Sequence, residues 1–290
     1  MTANAVNGFL HTERKWINKN IISPFSILVL NLMPTRKKTE LQFLSAFNNL
    51  GYDVKITFMY ACTHHFKGIS KDKVQKNYVC FKKIKKQTFD GLIITGAPVE
   101  KIPFKEVDYW QELKKIMEWA QAHVKQKLYE CWAAQAGLFY HFGIRKSLLP
   151  FKVSGIFTAD KIKNNSFLIN KLDAGGLLRM PQSRFTKIIL NKDHLPGDLD
   201  IIVDSSQVGP MILFSKNKHT IYITGHPEYG KNTLAQEYDR DQKKNLPISP
   251  PLNYFMEKKT KKINFSWQDS AKKIYQNWLD LIADKKLVRG

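Results

Sequence analysis

Short apolar runs alternate with amphipathic stretches along the first half of the chain. Ile27, Leu28, Val29, Leu30 and Leu32 make an almost continuous apolar run over 26–32, the mark of a strand buried on both faces. Met33 and Pro34 break it, and residues 39–50 read as a helix ending before Gly51. Further strands are expected over 53–59 and 89–95, the second stopped by Gly96-Ala97-Pro98. Leu113, Ile116, Met117, Ala120 and Val124 recur at helical spacing, with Lys114, Lys115 and Glu118 off that face. A short strand over 127–130 leads into a helix over 132–142 that ends at Gly143. Strand and helix in this alternation predict a mostly parallel sheet with helices on both faces.

The second half is richer in strands, expected over 186–190, 201–203, 211–214 and 220–224, with a helix over 233–243. Ser266 and Asp269 have the spacing of a capping box, opening a final helix with Ile274, Trp278, Leu281 and Ile282 on one face. Residues 243–264, rich in proline and lysine, read as a surface excursion. The organisation expected is an N-terminal arm over 1–24, then a single α/β domain over 25–290 with extra strands and a C-terminal helix.

Composition narrows the class. The chain has 290 residues, 43% hydrophobic and 12% aromatic, which excludes general disorder. No stretch approaches the roughly 18 apolar residues of a membrane span, and the polar start with Arg14, Lys15 and Lys19 is unlike a secretory signal. Three unpatterned cysteines, Cys62, Cys80 and Cys131, argue against a disulfide framework and suit a reducing cytoplasm. The net charge of +21 invites a nucleic-acid reading, but the lysine runs 82–86 and 258–262 lack any recognition pattern. Solvated surface lysine is preferred, and a phosphate-bearing coenzyme would also be drawn to such a field.

Candidate chemistry centres on Cys131. It follows a strand directly and opens a helix, so it stands at the carboxyl edge of the sheet, where open α/β folds place their sites. A helix start favours a thiolate and offers backbone N–H groups to an oxyanion. Ala133, Ala134 and Ala136 allow close approach of that helix to the sheet. His226 and Glu228 follow the strand 220–224 and, two residues apart in extended chain, can point the same way. An imidazole that deprotonates a thiol needs a carboxylate to fix its tautomer, so Cys131, His226 and Glu228 read as a catalytic triad. His64 and His65 have no third ligand at convincing spacing, so no metal is expected, and no phosphate-binding glycine loop occurs.

These residues resemble the homoserine O-acyltransferase (homoserine transsuccinylase) family over most of the chain. The resemblance rests on Leu30-Asn31-Leu32-Met33-Pro34, on 90–98, on Val107-Asp108-Tyr109-Trp110 and on Cys131-Trp132-Ala133 with Gln135-Ala136. It continues through Thr224-Gly225-His226-Pro227-Glu228-Tyr229 and 233–238 with Arg240-Asp241. It implies a fold similar to class I glutamine amidotransferases (flavodoxin-like). It also implies acyl transfer from an acyl-coenzyme A through Cys131 to the hydroxyl of a small amino acid, with ping-pong kinetics. No permanently bound cofactor is implied; acetyl-CoA is a co-substrate. The partners implied are small molecules, with a homodimer plausible by family analogy and neither nucleic acid nor membrane expected.

The resemblance assigns proton transfer to His226, its orientation to Glu228, and an oxyanion contact to the backbone of Trp132, supported by Arg36 where the family usually has lysine. Lys152, Ser183 and Arg240 fall on the family's substrate contacts, and Glu100 on its acyl-selecting position, where a carboxylate goes with acetyl donors. The chain departs from the family at Gln182, in place of histidine, and at Thr158-Ala159, in place of a Glu-His pair. Those acceptor-side changes lean the expectation narrowly to L-serine and cysteine biosynthesis, with L-homoserine and methionine biosynthesis the alternative. A reading of another class, a glutamine amidotransferase-like hydrolase, would use the same triad.

Overall fold

The computed structural model describes residues 1–163, 177–256 and 262–284. The first half runs β1 (Ala3–Ala5), α1 (Phe9–Thr12), β2 (Phe25–Leu30), α2 (Arg36–Phe47), β3 (Val54–Tyr60), α3 (Lys71–Asn77) and β4 (Val79–Cys80). It continues through α4 (Phe81–Ile84), β5 (Phe89–Ile94), α5 (Trp110–His123), β6 (Val124–Glu130) and α6 (Trp132–Phe142). The second half adds β7 (Lys146–Thr158), β8 (Lys161–Ile162), β9 (Arg179–Ile188), β10 (Leu199–Ser205), β11 (Gly209–Ser215) and β12 (Thr220–Ile223). Helices α7 (Thr233–Lys243) and α8 (Gln268–Ala283) follow.

The main sheet has the order β1-β3-β2-β5-β6-β12-β11-β10-β8, with β4 beside β3. Neighbours from β1 to β12 pair in parallel, and β12, β11, β10 and β8 pair antiparallel. Alternation along β2 sorts the core into two layers. Ile27 and Val29 join Phe43 and Phe47 of α2 and Tyr275 and Trp278 of α8. Leu28 and Leu30 join Leu113 and Ile116 of α5 and Ala133 and Ala136 of α6. Each large side chain fully buried this way contributes roughly 1.5–3 kcal/mol. Gly91 in β5 is required by this packing, because a Cβ there would lie 2.5 Å from the Trp278 ring.

Several expectations are modified. Residues 1–24, read as an arm, supply β1 to the sheet edge and bury Phe9 and Leu10 in the core. Strand β7 is absent from the periodicity reading, and β9 starts well before 186; the two form a separate antiparallel ribbon. The capping box does not form: Trp267 is the N-cap of α8 and no side chain caps it. The excursion over 243–264 is anchored, since Leu252 N–H donates to Ser154 O (2.9 Å) and Ile156 N–H to Leu252 O (2.8 Å). Gly155 permits that approach, as a Cβ would meet Leu252 O at 2.4 Å and φ is 146°. Tyr254 is fully buried against Ile156, Leu234 and Trp267. Residues 258–261 of the second charge run lie outside the described residues. In the first run Ile84 is buried while Lys82, Lys83, Lys85 and Lys86 are exposed. No described helix is long and apolar enough to cross a membrane.

One buried cation strains this sheet. Lys127 of β6 is fully buried, and its Nζ makes a long hydrogen bond of 3.4 Å to Val124 O. Burial first, and Lys218 second, push its pKa down to about 8. A depressed lysine pKa makes the folded state disfavour the charged form, so the penalty is complete below pH 8 and is relieved as pH rises from 8 toward the unfolded value of about 10.4. Lys127→Met is therefore expected to raise stability at pH 7 by about 2–3 kcal/mol and to flatten this pH dependence. Thermal unfolding of both proteins at neutral and alkaline pH checks it.

Candidate active site

Parallel strands β6 and β12 lie side by side with Glu130 opposite Ile223, so the turns that follow them emerge together. Cys131 N–H donates to Ile223 O at 2.7 Å, extending the ladder by one bond. The chain then turns sharply: Cys131 takes φ 50° and ψ −113° as the N-cap of α6. For a non-glycine residue this conformation costs about 1–3 kcal/mol, held here by the strand before it and the buried helix after it. As the first residue of α6, Trp132 presents a backbone N–H with no carbonyl of its own helix to receive it. Gly96 lines the other side, where a Cβ would lie 3.3 Å from Cys131 Cβ and 3.4 Å from His226 Cε1.

After β12, Gly225 runs so close to β9 that a Cβ would meet Met180 Sδ at 2.5 Å. His226 N–H donates to Pro181 O at 2.9 Å, fixing the loop to the ribbon. His226 Nδ1 lies 2.8 Å from Glu228 Oε1, and the imidazole stands beside the Cys131 side chain across Gly96. The Tyr229 ring stacks on it at 4.1 Å. Burial alone would lower the His226 pKa; the Cys131 thiol and the Glu228 carboxylate outweigh it and hold the imidazole well above its ordinary value. The three predicted residues are thus brought together in the geometry for a thiolate–imidazolium pair oriented by a carboxylate.

Beside this group lies a compact set of charges. Lys152 Nζ lies 2.8 Å from Asp241 Oδ2 and 3.8 Å from Glu237 Oε2, and all three side chains are largely buried. The position is set by an irregularity in the ribbon between Leu148 and Val153, which re-aims Lys152. Ser183 Oγ donates to Glu237 Oε2 (2.6 Å), Tyr229 Oη to Glu237 Oε1 (2.7 Å) and Arg240 Nε to Asp241 Oδ1 (2.7 Å). Burial would raise the Asp241 pKa, but the bonds from Lys152 and Arg240 outweigh it and keep the carboxyl below its usual range. Lys152, Ser183 and Arg240, separated in sequence, therefore share one cluster next to His226. Arg240 and Glu237 line a cavity of about 220 Å³ together with Lys38 and Tyr229. A set offering both cations and carboxylates suits the two charged ends of an amino acid.

The remaining expected residues divide. Glu100 Oε2 accepts a hydrogen bond from Phe185 N–H (2.9 Å) and lies 3.3 Å from Thr186 Oγ1, whose one proton goes to the nearer acceptor, Gln135 Oε1 (2.9 Å) of α6. It is a half-buried, anchored carboxylate and not a free loop charge. Arg36 does not join the site: it is buried with its guanidinium 4.7 Å from the Phe66 ring and acts electrostatically on Tyr78. The buried arginine that interacts with both Cys131 and Glu100 is Arg184, whose own pKa burial lowers and these two groups raise. Ala159 is packed in the core with its N–H on Leu178 O, and Gln182 is fully buried, accepting from Arg184 Nε at 3.0 Å. His64 and His65 both bond Asp108.

Sequence reasoning gave no role to Glu237, Asp241, Tyr229 or Lys38. The first two carry a usable signal: four residues apart on α7, they fall on one helix face with Arg240 beside them. Lys38 carries none, because its nearness to Glu237 and Arg240 depends on how α2 packs.

A family profile described as "Homoserine O-succinyltransferase" matches residues 4–287. The chain is similar to a protein of Thermotoga petrophila named homoserine O-acetyltransferase, 40% identical over 273 residues, covering 94% of this chain and 88% of that one. It is 39% identical over 275 residues to a homoserine O-acetyltransferase of Lachnospira eligens, covering 94% and 88%. Among solved structures it resembles a glutamine amidotransferase from Thermotoga maritima, with a TM-score of 0.53, 12% identity, and coverage of 93% and 100%. The fold is accordingly that of the class I glutamine amidotransferases. By sequence, the chain belongs to the homoserine O-succinyltransferase family of acyltransferases.

Proposed function

We propose that this acyltransferase moves an acetyl group from acetyl-CoA to the side-chain hydroxyl of L-homoserine, a step of methionine biosynthesis. The reading is carried by one observation: Tyr229 stacks on His226 and donates to Glu237, joining the Cys131–His226–Glu228 group to the Lys152, Glu237, Arg240 and Asp241 cluster. Homoserine replaces the serine favoured from the acceptor-side departures. Ala159 is a core residue and Gln182 is committed to Arg184, so the departures do not make the acceptor cluster smaller. The family and the named relatives both carry homoserine in their descriptions.

In the first half-reaction His226 takes the Cys131 proton and the thiolate attacks the thioester carbonyl. The oxyanion is met by the Trp132 N–H at the start of α6. The carbon–sulfur bond to coenzyme A breaks, and His226 returns the proton to the leaving thiolate. In the second half-reaction His226 removes the proton of the acceptor hydroxyl, whose oxygen attacks the acetyl-cysteine and releases Cys131. Lys152 and Arg240 bind the acceptor carboxylate, and Glu237 and Asp241 its ammonium group. The net charge of +21 favours approach of a polyphosphate-bearing donor.

Thiol release from acetyl-CoA is expected with L-homoserine at a kcat/KM roughly 10–200-fold above that with L-serine, the range one methylene supports. Serine turning over faster would reverse the acceptor assignment. Cys131→Ser should abolish acetyl transfer while leaving the fold unchanged by circular dichroism, and near-normal turnover would remove the acyl-enzyme step. Glu100→Gly is expected to raise the succinyl-CoA to acetyl-CoA ratio of kcat/KM at least tenfold, since it removes a carboxylate that repels the succinate end. An unchanged ratio would assign Glu100 only to anchoring β9.

The raised His226 pKa fixes the sign of a further outcome. The imidazolium persists as pH rises through the ordinary value of about 6.5 and is lost only as pH passes the raised one. Glu228→Gln removes the charge that supports it, so the His226 titration followed by NMR on histidine-labelled protein should move down by about one unit or more. Turnover should fall about 100-fold with it.

A further inference from the structure

Glu130 is the last residue of β6 and is fully buried, directly before Cys131. Its Oε1 accepts a hydrogen bond of 2.7 Å from Tyr275 Oη of α8. Its carboxyl lies against that of Glu228, the charge that acts most strongly on it. The outer oxygens, Glu130 Oε2 and Glu228 Oε2, are both buried and meet no N–H or O–H donor among the described residues. Two carboxyl oxygens can share a hydrogen bond only if one carries a proton. Two buried ionised carboxylates in contact would repel, with no water to screen them.

We propose that Glu130 is a neutral positioning residue: it holds a proton on Oε2 and donates it as a hydrogen bond to Glu228 Oε2. The choice of which carboxyl holds the proton follows from their other partners. Glu228 accepts from the His226 imidazole, a charge-assisted bond about twice as strong as the bond Glu130 accepts from the neutral Tyr275 phenol. Charge therefore stays on Glu228. The groups facing Glu130 are Glu228 and His226 from the loop after β12 and Tyr275 from α8. Burial, then Glu228, raise the Glu130 pKa well above the carboxylate range, against the smaller opposing effects of Tyr275 and His226.

The consequence is a chain of hydrogen bonds from Tyr275 through Glu130 and Glu228 to His226, which stands beside Cys131. Glu130 supplies the second donor that a buried carboxylate needs to remain ionised, and it fixes the Glu228 rotamer from the face opposite His226. The inference rests on the His226–Glu228 pairing proposed above, but its test needs no acyl donor.

Glu130→Gln and Glu130→Leu decide it. Glutamine keeps a neutral donor toward Glu228 and an acceptor for Tyr275, so the His226 titration by NMR should stay where it is in the parent protein. If Glu130 were ionised, the same change would delete a negative charge and move that titration down by about one unit or more, overturning the proposal. The infrared carbonyl band of a buried neutral carboxylic acid should be present at pH 7 and vanish in Glu130→Gln; its absence from the parent protein would also overturn it. Turnover should fall about tenfold in Glu130→Leu and be largely restored in Glu130→Gln. Equal loss in both would overturn the positioning role and reduce Glu130 to packing. Should the leucine variant fail to fold, the two spectroscopic readouts on Glu130→Gln still distinguish a neutral from an ionised Glu130, whatever the substrates prove to be.

Discussion

Everything at the site depends on the parallel pairing of β6 with β12. These strands come from segments about ninety residues apart, and their register sets Glu130 opposite Ile223, with Cys131 N–H closing on Ile223 O. A shift of one residue would turn Cys131 to the other face of the sheet and part it from His226. The register is locked by burial on both faces, because every residue of β12 is buried and so are Gln126 to Glu130 of β6. The strained backbone of Cys131 is tolerable for the same reason: the ladder holds one side of the turn and the fully buried start of α6 holds the other.

Charge balance is the second constraint. A thiolate, an imidazolium and a carboxylate in sequence leave one net negative charge away from water, and a fourth ionised group beside them would be costly. A proton on Glu130 resolves this without adding a cation. The cluster proposed to take the acceptor solves a related problem differently, pairing Lys152 and Arg240 with Asp241 and Glu237 so that the charges are compensated within the protein. An incoming zwitterion would exchange partners with this set. It would not have to bring charge into an uncompensated pocket, which keeps the desolvation cost of binding low.

Legibility in the sequence followed burial. The strands β2, β3, β5, β6 and β12 and the helices α5, α6 and α8 announce themselves because their apolar residues face a core on one or both sides. The turn at Cys131 and the turn at His226 and Glu228 were readable as strand-end chemistry for the same reason. The β7–β9 ribbon was not, since it stands off the main sheet with Leu148 and Phe151 61% and 72% exposed, and its residues follow no simple alternation. Arg36 was misplaced because position after Met33-Pro34 fixes where the backbone goes but not which way a long side chain turns; it turns to Phe66.

Glu130 marks the limit of such reading. Adjacent to Cys131, it looks like the polar end of a strand, and nothing local distinguishes it from a solvated carboxylate. Its environment is supplied by Tyr275, which stands 145 positions later, and by Glu228, which arrives through the β6–β12 register. Glu130 ends β6 with its side chain toward the layer that α8 closes, and the chain turns sharply at Cys131. The turn that brings Cys131 beside His226 therefore leaves Glu130 buried behind the loop carrying Glu228. A polar residue at that position must be neutral, paired or absent, and the carboxyl of Glu228 is the partner that makes a neutral acid the favourable choice.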